Sequence, residues 1–320
     1  MMKILISLLI SSVIYGATIK VGVLAPEGTT WAKNLKKMAK EIKKATKKKV
    51  KIKIFFGGAQ GDEPDVLRKI RVGQLHGGIF TGKTLGEING DVRVMELPFT
   101  FYDDNKKARS VLDKMTPTFN KKFEQAKFKN LGFFEIGNVY FVSKNETANL
   151  AALKGQKIWA WEGDKLVESM IESMNLISVP LPLPDVLSSL STGIIDAAYA
   201  PPLGILSLQW NTKVSHLIDF PLSYSIGAFL IGERAWKKIS PENQKIVLDI
   251  SKKYIAKVNE GNDKDNKDAM SAMKTSGINF LEFPKEDLAK GKELREQVVG
   301  KLMGTLFSKE TYTQFTKELK

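Results

Sequence analysis

The run Gly77-Gly78-Ile79-Phe80-Thr81-Gly82-Lys83-Thr84 satisfies G-x-x-x-x-G-K-T, the pattern of a loop whose amides and lysine cradle nucleotide phosphates. That chemistry needs a strand running into the first glycine and a helix opening at the Lys-Thr pair, so that amides converge on the phosphates. Here Asp65 to Leu75 has helical spacing, and Ile79-Phe80 inside the motif read as the strand itself. The context is inverted, so the match predicts neither ATP binding nor hydrolysis. Gly193-Ile194-Ile195-Asp196 could offer an acid at a strand end for magnesium, but a short apolar run before an acid has little specificity.

Other catalytic constellations are missing. With no cysteine there are no disulfides, thiolate metal sites or thiol nucleophiles, and two histidines do not make a histidine-rich metal site. No G-x-S-x-G elbow is present. His216, in Val214-Ser215-His216-Leu217-Ile218, is expected to be a satisfied core histidine, and His76 to cap a helix or face solvent. The acidic pairs Asp62/Glu63 and Glu162/Asp164 fall where helix N-caps are wanted. No enzyme chemistry and no cofactor are predicted.

The residues around these positions alternate between strand and helix signals. Thr18 to Leu24 alternates as a strand, Trp31, Leu35, Met38 and Ile42 recur at helical spacing, and Val50, Ile52 and Ile54 alternate again. A flexible Gly57-Gly58-Ala59-Gln60-Gly61 loop leads to Asp62 as N-cap and Val66, Leu67 and Ile70 as a buried helical stripe. Strands are predicted at Gly78 to Thr81, Lys157 to Trp161, Ile177 to Leu181, Ile194 to Tyr199 and Tyr224 to Ile231. Helices are predicted near Asp164 to Met174 and Pro184 to Leu190. Ser240-Pro241-Glu242 is a strong helix start, and helical composition runs on to Thr275. At 1.5 Å per residue such a helix is roughly 50 Å long, more than one small domain spans, so it is expected to cross two. Ile278 to Phe283 reads as a further strand and Lys285 to Lys320 as terminal helices.

A length of 320 residues also gives a prior of two domains. The net charge of +14 rests on 43 lysines and only six arginines, whereas nucleic-acid forks favour arginine. The densest run, Lys36 to Lys53, has no interleaved aromatic for base stacking, which makes it a solvated surface, and no nucleic-acid partner is predicted. Met1 to Ala17 has a short basic start, an apolar stretch too short to span a membrane and a small-residue end. It reads as a cleavable signal peptide that sends the chain to the periplasm.

Four separated segments resemble one family. GGAQGDEPDVLRKIRVGQLHGGIFTG, MELPFTF, LKGQKIWAW and LPDVLSSLSTGIIDAAYAPP come in the order and at about the intervals found in solute-binding proteins of tripartite ATP-independent periplasmic (TRAP) transporters, the DctP type. The resemblance covers nearly the whole mature chain. It implies the α/β, two-domain periplasmic solute-binding fold (type II-like) with the long helix spanning both domains, no catalysis, and delivery of a small organic solute to TRAP permease membrane subunits. Domain I is then 18–141 with 228–275, domain II 142–227, and 276–320 packs on both. Connecting strands near Phe141 to Ser143 and Tyr224 to Ala228, with the long helix after Ser240, are expected to form the hinge. An exported enzyme, or a sensor or scaffold using the same fold to bind a partner protein, are the competing classes.

One departure from the family pattern bears on the ligand. Members that bind carboxylates resemble one another in an arginine two residues after the lysine of a G-x-K-I-R strand. Here the strand is Gly155-Gln156-Lys157-Ile158-Trp159, with no arginine between Arg109 and Arg234. The candidate ligand-binding residues are Trp31, Gln60, Thr81, Phe99, Trp159, Trp161, Tyr199, Pro201 and Trp210. With no arginine beside Trp159, an apolar or aromatic solute is favoured over a small dicarboxylate, and Lys83, Lys157 and Lys165 are the cations that could still receive an acid.

Overall fold

The computed structural model describes residues 16–320 except 103, 148 and 150, and the side chains there except those of 285 and 286. Residues 1–15 of the predicted signal peptide lie outside the described residues.

The chain begins with β1 (Ala17–Gly22), α1 (Thr30–Ala45), β2 (Val50–Phe55), α2 (Glu63–Arg71), β3 (Gly77–Thr81) and α3 (Gly82–Ile88). A 3-10 segment, Gly90–Glu96, leads to α4 (Asn105–Gln125) and the sixteen-residue β4 (Phe128–Ser143). Then come β5 (Lys157–Trp161), α5 (Lys165–Ser173), β6 (Ile177–Leu181), α6 (Val186–Thr192), β7 (Ala197–Ala200), α7 (Pro202–Ser207) and β8 (His216–Ile218). The rest is β9 (Ser223–Gly232), α8 (Glu233–Trp236), α9 (Pro241–Thr275), β10 (Asn279–Leu281), α10 (Lys285–Leu302) and α11 (Lys309–Glu318).

These strands hydrogen-bond in the order β2-β1-β3-β9-β4-β7-β5-β6, with β8 pairing both β4 and β10. β1, β2 and β3 are parallel, as are β7, β5 and β6, so each end of the sheet is an α/β lobe built from crossover units. The lobes meet on β4 and β9. The first part of β4 runs antiparallel to β9, and its last residues, Tyr140 to Ser143, pair with β7 of the other lobe. Register shifts between Asn130 and Phe133, and between Glu135 and Gly137, fall at Gly132 and Gly137, whose φ values of +150° and +116° favour glycine.

Helix α9 has the predicted start and length, with Ser240 Oγ accepting from the Asn243 amide across 35 helical residues. It is tied to both lobes. Glu41 of α1 accepts from Lys253 and Tyr254, while Asn266 Oδ1 accepts from the Leu203 amide of α7 and its Nδ2 donates to the Ile136 carbonyl of β4.

The predicted strand at Ile194 to Tyr199 starts later, at Ala197. Gly193 takes a left-handed conformation (φ +79°) after α6, and Ile194 is left exposed on the way into the strand. The predicted helix at Pro184 to Leu190 is a 3-10 turn at Leu183–Asp185 followed by α6. His216 is half-buried on β8 and its Nδ1 has no hydrogen-bond partner, so the expectation of a satisfied core histidine is corrected; its backbone, not its ring, serves the β8–β10 pairing.

Near the middle of β4, buried Glu135 joins four elements. Arg109 Nε of α4 donates to it at 2.7 and 2.8 Å, Tyr224 Oη of β9 at 2.8 Å, and Asn259 Nδ2 of α9 at 3.3 Å. Glu135→Leu leaves these donors facing an apolar side chain, and chemical denaturation should show a loss of about 2–4 kcal/mol. Glu135→Gln, which keeps the acceptor oxygen, should lose markedly less.

Candidate functional site

A cavity of about 240 Å³ opens between the lobes, bounded by the ends of β1 and β3, by β5 and β7, by the start of α7 and by the middle of α9. Its wall is mainly aliphatic and aromatic. Trp31, Thr81, Trp159, Trp161, Tyr199, Pro201 and Trp210 all line it. Gln60 and Phe99 do not. Gln60 sits in the loop before α2, where its carbonyl accepts from Lys69, and Phe99 is buried against Phe220 and Phe283. Both stand in segments that resemble the family, but they hold a loop and a core in place rather than face the cavity.

The aromatic wall is rigid. Trp159, at the centre of β5, stacks on Tyr199 with ring centroids 4.8 Å apart and meets Trp210 edge-on at 5.3 Å. Its indole donates to the Leu181 carbonyl at 3.0 Å, which fixes the ring and leaves no N–H for a solute. The Trp161 amide donates to Tyr199 Oη at 3.3 Å, and the Trp161 indole crosses between lobes to Asp62 Oδ2 at 3.2 Å. Trp31 rests on Phe134, its indole N–H unpartnered.

Of the charged groups of the wall, Glu63, Lys83 and Asp164 were named from the sequence, and Arg93 and Glu96 were not. Arg93, on the 3-10 segment, is 3% exposed and lines the cavity, so the expectation that no arginine stands by the site is corrected. Its signal was a lone arginine inside the apolar run Val92-Arg93-Val94-Met95. Its Nη2 donates to both oxygens of Asp164, at 2.8 and 3.0 Å, across the lobes, and its Nη1 lies 3.2 Å from Glu96 Oε2. Asp164 is the expected N-cap, its Oδ1 accepting from the Leu166 and Val167 amides of α5, and the same carboxylate also holds the arginine. Glu96 accepts from the Ile226 amide at 2.9 Å and Ser225 Oγ at 3.1 Å. Burial pushes its carboxyl above the ordinary range, with Arg93 opposing.

Of the three candidate lysines, only Lys83 reaches the wall, and Glu87 pairs with it at 2.6 Å. Lys157 Nζ donates to the Gly193 carbonyl and Lys165 is exposed. The inverted context expected for the phosphate-loop match is corrected in part. A helix does open at Gly82, but Gly77 to Thr81 are strand, paired with β9 from Ile231 to Gly227, so no loop surrounds a phosphate. Gly82 has a packing role instead, because a Cβ there would lie 1.7 Å from Glu96 Oε2. Among the described residues no cluster of His, Cys, Asp and Glu is placed to hold a metal ion, and no helix is long and apolar enough to cross a membrane.

A two-lobed α/β fold with a lined cavity between its lobes is the architecture of a solute receptor. Residues 21–305 match the family model for bacterial extracellular solute-binding protein, family 7 (DctP), and the chain belongs to that family, whose members are receptors and not enzymes. A solute-binding protein of Verminephrobacter eiseniae is 23% identical over 247 residues, 76% of this chain and 73% of that one. A TRAP periplasmic solute-binding protein from Desulfovibrio salexigens with bound orotic acid superposes with a TM-score of 0.87 at 21% identity, covering 95% of this chain and 98% of that one. An extracytoplasmic solute receptor of Bordetella pertussis binding pyroglutamic acid gives 0.86 at 18% identity, with coverages of 94% and 99%.

Glu63, at the start of α2, also lines the cavity. Its carboxyl accepts from the Thr81 amide at 2.9 and 3.0 Å, and burial pushes its pKa up to about 8. The folded chain therefore holds a proton that the unfolded chain releases near the ordinary value of about 4.3, so this group's contribution to stability falls as pH rises from about 5 to 8. Glu63→Gln, which mimics the protonated form, should remove that fall. Unfolding free energies measured from pH 5 to 8 should give a flatter profile for the variant, and identical slopes would refute the assignment.

Proposed function

We propose that the chain is the extracytoplasmic solute-binding subunit of a TRAP transporter, that it captures a small uncharged solute of aromatic or apolar character between its lobes, and that it passes this solute to the permease. The observation that carries the reading is the wall itself. Aromatic rings surround the cavity, and both of its cations, Arg93 and Lys83, are already engaged by carboxylates of the protein. The solved relatives hold orotic and pyroglutamic acids, so the family's fold accommodates acids. This chain departs in placing Trp159, whose one N–H is spent on Leu181, where the family resemblance calls for an arginine. A carboxylate entering such a site loses its hydration at a cost of several kcal/mol unless a matching cation is free to receive it.

The same reading divides the chain into domain I, 18–141 with 228–275, and domain II, 142–227, which close about the strands they share. Export by a signal peptide cleaved near Ala17 fits it, since β1 begins at that residue and would stay whole.

Calorimetry against succinate, malate, sialic acid and a set of neutral aromatic and aliphatic amides and alcohols tests the ligand class. Binding is expected among the neutral compounds, and submicromolar binding of succinate or malate would sink the proposal. With a binding compound in hand, small-angle scattering should show a smaller radius of gyration at saturation; an unchanged radius would count against closure. Trp159→Ala should weaken that compound by about tenfold or more, as expected for loss of a stacked, desolvated ring.

A further inference from the structure

Among the described residues Arg93 is the only arginine lining the cavity, yet it is not available to a solute. Asp164 occupies its Nη2 and Glu96 stands against its Nη1, while Nε and Nη1 make no hydrogen bond of good geometry. Neither acid is free to swing away. Asp164 would have to give up the two amides at the start of α5, and Glu96 the Ile226 amide and the Ser225 hydroxyl. One guanidinium set against two carboxylates in a buried site is fully neutralised, and a further anion would bring uncompensated charge into a medium that solvates it poorly. The neighbouring acid Glu63 and the Lys83–Glu87 pair supply no spare positive charge.

The geometry points to Asp164 as a specificity-determining residue: a carboxylate built into the second lobe that occupies the arginine of the first and thereby closes the cavity to acidic solutes. This rests on reading the cavity as the solute site. Asp164 holds the guanidinium with the same oxygens a solute carboxylate would use, and it comes from the lobe opposite the arginine. Without its charge, Arg93 faces Glu96 alone, and a bound carboxylate would bring the local charge back to that of the unaltered protein. The two states differ by one anion, carried either by the chain or by the solute.

The test uses the full chain with Asp164→Asn and, should that variant fail to fold, Asp164→Ser, since both residues keep an acceptor for the first amides of α5. Acetate titrated into thermal melts reads Arg93 directly. It should raise the Tm of the Asn variant, leave the unaltered protein unmoved, and lose its effect when Arg93→Met is added. Calorimetry with benzoate and benzamide reads the solute preference. The unaltered protein should favour benzamide by at least about tenfold, and Asp164→Asn should move the ratio at least about tenfold toward benzoate. Equal binding of the two compounds by the unaltered protein overturns the assignment, as does a variant with an unchanged ratio and no response to acetate. If neither aromatic compound binds while acetate stabilises the variant through Arg93, the role of Asp164 stands and the aromatic-solute reading falls.

Discussion

A guanidinium removed from water has to be met by negative charge, and Arg93 is met from both sides of the cleft. Much of the local architecture answers to that requirement. Glu96 can reach the arginine only because position 82 is glycine, so a helix that opens beside the cavity must begin with a residue lacking a side chain. Asp164 can reach it because the first turn of α5 is aimed at the cavity, where one carboxylate serves as helix cap and ion-pair partner at once. The pair also joins the lobes, and burial of both partners lowers the local dielectric in which they attract.

Set around this ion pair, the aromatic residues divide the work of shape and polarity. Trp159, Tyr199 and Trp210 lock one another through ring contacts, and the polar ends of Trp159 and Trp161 are turned onto a carbonyl and a carboxylate of the protein. The faces left toward the cavity are apolar and fixed, as suits recognition by shape more than by hydrogen bonding.

What could be read from the sequence was what local chemistry determines. α9 announces itself with Ser240-Pro241-Glu242, and β5 and β6 are short apolar runs with clear ends, so their limits were legible to the residue. α4 was not. Pro117 lies inside it and argues locally against a helix, yet the packing of Val111, Leu112, Met115, Phe119 and Phe123 in the core prevails. β4 hides its length because two glycine bulges break the alternation that marks a strand. At the site, the aromatic positions other than Phe99 were legible from their types and the family resemblance, whereas the placing of Arg93, Glu96 and Glu63 at the cavity was not. Their roles depend on which distant residues the sheet order brings opposite them, and Arg93 and Asp164 are 71 residues apart.

The placement of the tryptophans has a further consequence. Four of the five, Trp31, Trp159, Trp161 and Trp210, line the cavity, and only Trp236 on α8 lies elsewhere. Most of the protein's indoles therefore stand at the cleft, Trp31 from the first lobe and the other three from the second. Intrinsic fluorescence in this chain is weighted toward the surroundings of the site rather than averaged over the fold.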